Sequence, residues 1–268
     1  IFAENQYFTS RTIADAFAAR LAETDAPEIA LLMPANQSGW LETSTMGVLR
    51  ARLHRRLRAA DPRNRYRLYC PTLPWLDDGD ECLNVHSKVF AIDDDLFSVG
   101  SANMSNRSMA FDTECNLAIE ARGSPEDLAR IRLAIAHMRN RLLAEHLATS
   151  PQAVDAELQR RGSLHAAIRA LQHTGRSLHP LNPTTTPELD ALVPDQALQG
   201  RSKMHDKLKA ANAALAADGW TVMDDDGFIG LVGPFWHRMI APVPEYALIG
   251  QDKHRNRRGV VQGGVVMT

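Results

Sequence analysis

His86-Ser87-Lys88, then Asp93, then Gly100-Ser101-Ala102-Asn103 is the stretch that decides how this chain is read. An imidazole and an ammonium two residues apart, a carboxylate five further on and a Gly-Ser-x-Asn turn beyond that point to a site that grips a phosphoryl group. On a strand, residues two apart face the same way, so His86 and Lys88 are expected side by side. Ser101 and Asn103 are expected to do likewise on the next element. Together they offer a proton-transfer group, a fixed cation and two neutral donors. That set suits a phosphodiester whose transition state gathers negative charge on its oxygens. The chemistry requires no metal and no cofactor.

Around this block, residues 85–92 and 96–99 are two β-rich runs joined at Asp93-Asp94-Asp95, a hairpin signal, and residues 114–120 supply a third strand to complete a meander. Upstream, Ile1-Phe2-Ala3 reads as the end of a strand feeding a polar turn at residues 4–10. Glu4 and Gln6 are expected to shape that turn, the alternative being that they line a cleft mouth. Thr9 or Ser10 caps a helix over 11–23, with Ile13, Phe17 and Leu21 on one face. Residues 28–33 form a short buried strand stopped by Pro34. Over 41–60, Met46, Leu49, Leu53 and Leu57 recur at helical steps, and Arg50, Arg52, Arg55, Arg56 and Arg58 are expected to make a solvated basic face. Residues 65–70 alternate like a strand, closed by Pro71.

Downstream, Ser124-Pro125-Glu126-Asp127 opens a helix whose stripe is Leu128, Ile131, Ile135, Met138 and Leu142. A further helical stretch over 151–172 breaks at Gly162. The Pro- and Thr-rich run after His179 predicts a linker. The expected organisation is therefore a domain over 1–179, a linker over 180–200 and a second segment over 201–268.

Composition narrows the function classes. Lys+Arg 30 against Asp+Glu 32 and 44% hydrophobic residues describe an ordinary soluble protein, with no charge excess that demands nucleic acid. The cysteines, Cys70, Cys82 and Cys115, show no metal-ligand spacing, which points to structural thiols in a reduced, cytoplasmic compartment. No apolar run reaches the roughly 18 residues of a membrane span.

The spacing of His86, Lys88, Asp93, Gly100, Ser101 and Asn103 resembles the HKD signature of the phospholipase D superfamily. The resemblance extends from Ile1 to about Gln172. Residues 4–10, Asn106-Arg107-Ser108, Asp112-Thr113-Glu114 and Glu145-His146-Leu147 are similar to the second half of a bacterial two-motif phospholipase D. It implies an α/β fold with an α/β/α half-domain and a two-step transfer through a phosphohistidine. In that scheme His86 is the general acid, and Lys88 and Asn103 hold phosphate oxygens. Glu114 orients an active-site histidine, and Asp93 mainly braces the hairpin. The implied partners are a phospholipid or other phosphodiester substrate, a peripheral membrane surface, and a second HKD half in cis or in trans.

A complete site joins two such motifs, and the sequence holds one. His165, His173 and His179 lack a lysine two residues on; His205 is followed by Lys207, but Asn212 stands where the aspartate belongs. The start at Ile1 leads to the expectation that an N-terminal half precedes this chain. The leading reading is a phosphatidyl-ester hydrolase or transferase. The others are a catalytically inert binding module and a superfamily nuclease acting as a dimer, which the near-neutral charge disfavours. The tail, residues 227–235 with Asn256, Gly259 and Gln262-Gly263-Gly264, resembles the opening of a PaaI-like hotdog thioesterase. A segment of that fold ending at Thr268 is expected to lack thioesterase activity.

Overall fold

The computed structural model describes residues 1–35, 43–73, 82–110, 112–193, 221–222, 236–240 and 243–247. Its centre is a seven-stranded mixed sheet in the order β6-β5-β4-β1-β2-β3-β7. The strands are β1 (Phe2–Glu4), β2 (Ile29–Leu32), β3 (Tyr66–Thr72), β4 (Val89–Ile92), β5 (Leu96–Gly100), β6 (Asn116–Glu120) and β7 (Ser177–Pro180). β1, β2 and β3 run parallel, while β4, β5 and β6 form an antiparallel meander attached to β1. The parallel strands are joined by helices α1 (Arg11–Ala22) and α2 (Val48–Ala59), as parallel pairing requires. Three helices follow the meander: α4 (Pro125–His146), α5 (Pro151–Arg161) and α6 (Leu164–Leu171), with the short α3 (Asn106–Ala110) before them.

Alternation along the strands divides the core in two. Phe2, Ala30, Leu32, Tyr69, Ala91 and Phe97 join Ile135, Leu143, Leu147, Val154 and Ile168 of the later helices. Ala3, Ile29, Leu31, Tyr66 and Leu68 join Phe17, Leu21, Leu53 and Leu57 of α1 and α2 on the other side. The result is the expected α/β/α sandwich. β1 and β2 are buried on both faces, which is why residues 28–33 read as an unbroken apolar run.

Local signals translate directly. Ser10 Oγ accepts from Ile13 N–H at the start of α1, and Ser124 Oγ accepts from Asp127 N–H at the start of α4, which carries Pro125 in its first turn. Gly162, with φ 59°, ends α5 in the left-handed conformation that a Cβ disfavours.

Three expectations change. Pro71 lies inside β3, paired with Leu178 of β7. It is tolerated because β2 pairs only with residues 66–69, so no ladder position there asks Pro71 for an N–H. The basic face of α2 is not simply solvated: Arg50 is buried and donates to the carbonyls of Pro34 and Ala35 at 2.6 Å each. Arg52 and Arg55 meet Asp190, which stands on α7 (Pro187–Leu192). Residues 180–200, expected as a linker, therefore begin on the last residue of β7 and contain α7 packed against α2. Third, β4 starts at Val89, so residues 86–88 precede the strand rather than ride on it.

The tail shows a separate antiparallel sheet of β8 (Thr221–Val222), β9 (Trp236–Ile240) and β10 (Val243–Ala247). The hotdog resemblance otherwise falls outside the described residues.

Gly100, at the end of β5, has no room for a side chain. A Cβ there would lie 2.0 Å from Asn116 Oδ1 and 2.4 Å from the Cys115 carbonyl oxygen. Gly100→Ala is expected to destabilise the protein by about 2–3 kcal/mol through overpacking, read as a lowered urea midpoint at unchanged m. A midpoint within error of wild type would show that β5 and β6 can part at no cost.

Candidate active site

The chemistry-bearing residues converge where β1 ends and β4 begins. Glu4 closes β1 with its side chain almost wholly buried, at 3% exposure. One carboxylate oxygen accepts from Ser87 Oγ at 2.6 Å and the other from His146 Nε2 at 2.9 Å. Because a carboxylate only accepts, the bond fixes the proton on Nε2. His146 Nδ1 is buried with no partner among the described residues.

Asn5 holds the other half of the motif. Its Oδ1 accepts from Met104 N–H at 3.0 Å and from Tyr7 N–H at 3.2 Å, and its Nδ2 donates to the Ala102 carbonyl at 3.5 Å. The Met104 carbonyl in turn accepts from Thr9 and Ser10 N–H. Gln6 Oε1 accepts from Lys88 Nζ at 3.3 Å. Residues 4–10, expected as a turn, thus form a bracket that ties residues 86–88 to residues 101–104. The sequence signal was present in the run Glu4-Asn5-Gln6: three consecutive polar side chains directly after an apolar strand end.

Lys88 Nζ also donates to the His86 carbonyl at 2.7 Å. Partial burial lowers the Lys88 pKa, and the nearby Glu114 carboxylate opposes that shift. His86 itself is exposed, with a ring that meets no hydrogen-bond partner among the described residues. Ser101 Oγ donates to Glu114 Oε2 at 2.5 Å and accepts from Cys115 N–H at 2.9 Å. Glu114, 8% exposed, is therefore engaged by Ser101. Asn103 Oδ1 is buried and unpartnered among the described residues. Turning that amide over places an N–H2 there instead, the donor that a phosphate oxygen asks for.

Asp93 does not join this group. It lies at the far end of β4 with φ 47°, in the three-residue loop between paired Ile92 and Leu96. Arg139 of α4 donates to the Asp93 carbonyl at 3.1 Å and to Asp94 Oδ1 at 2.5 Å, and Arg132 pairs with Asp95 at 2.7 Å. The aspartates clamp the hairpin to α4. Asp tolerates the left-handed conformation better than most side chains.

Chemically, Lys88 offers a cation, Asn103 with its amide turned over offers a donor, and the exposed His86 ring makes no hydrogen bond among the described residues. Among the described residues no helix is long and apolar enough to cross a membrane.

NucT from Helicobacter pylori is similar in structure, with 19% identity, a TM-score of 0.33, and coverage of 53% of this chain and 77% of that one. A likeness of that size carries no weight for function. No curated protein matches the sequence. The family described as "Cardiolipin synthase, PLD-like domain" matches residues 2–137, just over half of the chain, from β1 through the first turns of α4. That span holds His86, Lys88, Ser101, Asn103 and Glu114, and the chain belongs to this family of phospholipase D-like domains.

Proposed function

We propose that this chain supplies one half of a phosphodiester-transfer site, in which His86 protonates the leaving alcohol and Lys88 and Asn103 hold the non-bridging oxygens. Ser101 keeps Glu114 in place beside Lys88. The nucleophile, a second histidine that forms and then loses a bond to phosphorus, comes from another HKD motif, in the same polypeptide or on a partner. Water or a second alcohol then takes the phosphoryl group. The observation that carries the reading is Lys88 beside Glu114 at the start of β4, next to an exposed His86 with an unengaged ring, while Asn5 ties in the segment that carries the buried, unpartnered Asn103 Oδ1.

The need for a partner half has its own support. α4 covers the sheet face at Phe97, but on the same face Val99, Leu117 and Ile119 stand 43%, 64% and 37% exposed. This apolar strip, Val99 on β5 with Leu117 and Ile119 on the neighbouring edge strand β6, adjoins Gly100 and so the site. A phospholipid diester, met at a membrane surface, is the substrate class we favour; the balanced charge speaks against DNA.

The test measures turnover of phosphatidylglycerol vesicles, a soluble nitrophenyl phosphodiester and single-stranded DNA over a range of protein concentrations, with and without an added HKD half-domain. Turnover that rises with the added half, or specific activity that rises with concentration, is expected. Equal activity at every dilution without any added half would overturn the half-site, and faster cleavage of DNA than of lipid would overturn the substrate class.

A further inference from the structure

Apart from the phosphodiester site, one pair of reactive side chains has no assigned role. Cys70 and Cys82 were expected to be separate structural thiols, yet their sulfurs lie 2.7 Å apart. That places them between a non-bonded contact and the roughly 2.05 Å of a covalent S–S bond. Backbone holds them there. Thr72 and Cys82 form an antiparallel bridge, and Leu83 N–H donates to the Pro71 carbonyl at 2.8 Å, so the chain entering the His86 segment runs alongside the end of β3. β3 is itself fixed between β2 and β7. The sulfurs therefore need only a small side-chain adjustment to bond, with the backbone already in place.

We propose that Cys70 and Cys82 are a dithiol pair that closes to a disulfide when a low-molecular-weight disulfide such as oxidised glutathione is present. Cys82, partly exposed, is the sulfur an oxidant reaches; Cys70, 5% exposed, is the resolving thiol. In the first step the Cys82 thiolate attacks one sulfur of glutathione disulfide, breaking its S–S bond and releasing one glutathione thiolate. The Cys70 thiolate then attacks the Cys82 sulfur of the mixed disulfide, releasing the second glutathione. The protein gives up two electrons and two protons, and the oxidant's disulfide becomes two thiols. The product staples the lead-in to His86 onto β3 across a separation of 12 residues. Cys115, between Glu114 and Asn116, stays reduced.

The full chain is incubated with dithiothreitol or with oxidised glutathione, unfolded, alkylated and mapped by mass spectrometry. Free thiols are expected to fall from three to one, with a Cys70–Cys82 peptide two hydrogens lighter than the reduced pair. The thermal midpoint of the oxidised chain should exceed that of the reduced chain by roughly 5–10 °C. Cys115→Ser keeps the shift and Cys82→Ser loses it. Three alkylated thiols after oxidation, a glutathione adduct that persists on Cys82, or a bridge to Cys115 would each overturn the pairing. Should Cys82→Ser fail to fold, the peptide map of the native chain still decides.

Discussion

His86→Ala, in the presence of the second motif, is expected to lower kcat on an alkyl phosphodiester by about 10²–10⁴-fold, the range a positioned general acid contributes. The chemistry allows a sharper check than loss of activity. An alkoxide is a poor leaving group and needs the proton that His86 carries; nitrophenolate leaves without one. The variant should therefore lose far less activity on a nitrophenyl diester than on a lipid diester. Equal losses on both would show that His86 acts as the nucleophile, since attack on phosphorus is needed whatever leaves. Because His86 is exposed and makes no hydrogen bond through its ring among the described residues, its removal should change stability by no more than about 0.5 kcal/mol. A wild-type thermal midpoint in the same preparation confirms that any loss is chemical. KM should change little if the phosphate is held by Lys88 and Asn103.

The sheet was legible because its code is local. The apolar run at residues 28–33, the β-rich run at 85–92, of which only 89–92 form β4, the aspartate loop between β4 and β5, and the Ser124-Pro125 cap each specify their own element. The division into two core faces follows from the two-residue period of β1 and β2. What could not be read was side-chain reach. Arg50 looks like every other arginine of α2 in sequence, but only it points at the carbonyls left open where β2 ends. His86 and Lys88 carry a strand-like spacing, but β4 begins one residue after Lys88, and the lysine folds back onto the His86 carbonyl. Spacing singled out Lys88 and Asn103, and the family resemblance singled out Glu114. Glu4 and His146 are 142 residues apart, and no local pattern couples them. Cys70 and Cys82 likewise show no motif, and only the bridge between residues 72 and 82 brings their sulfurs into contact.

That long-range pair carries the second large effect. Glu4→Ala is expected to cut kcat by about 100-fold without removing any group that touches substrate, because displacing reacting groups by about 1 Å costs that much. Ser87 sits between His86 and Lys88, and its hydroxyl is anchored only as firmly as Glu4 is. Glu4 in turn is held by His146 from the end of α4, so the helix fixes the height of the motif above the sheet. Alanine leaves the Ser87 hydroxyl and both nitrogens of a largely buried His146 without partners, which costs about 2–4 kcal/mol of stability as well. Stability loss alone does not establish positioning, so the decisive variant is Glu4→Gln. Its amide can donate to Ser87 Oγ while its oxygen accepts from His146, which restores the geometry without the charge. If Glu4 positions the motif, Gln should recover most of kcat and most of the thermal midpoint together. Ser87→Ala should lower kcat while leaving the Glu4–His146 bond intact. A Glu4→Ala protein with a depressed midpoint but wild-type kcat at low temperature would show that the bracket supports the fold and not the reaction. Recovery of stability in Glu4→Gln without recovery of kcat would place the carboxylate's charge, rather than its geometry, in the chemistry. The coupling of Glu4 and His146 in a double-mutant cycle should then be read on kcat and on stability separately, since a value of about 0.5–3 kcal/mol on both is what a shared anchor predicts.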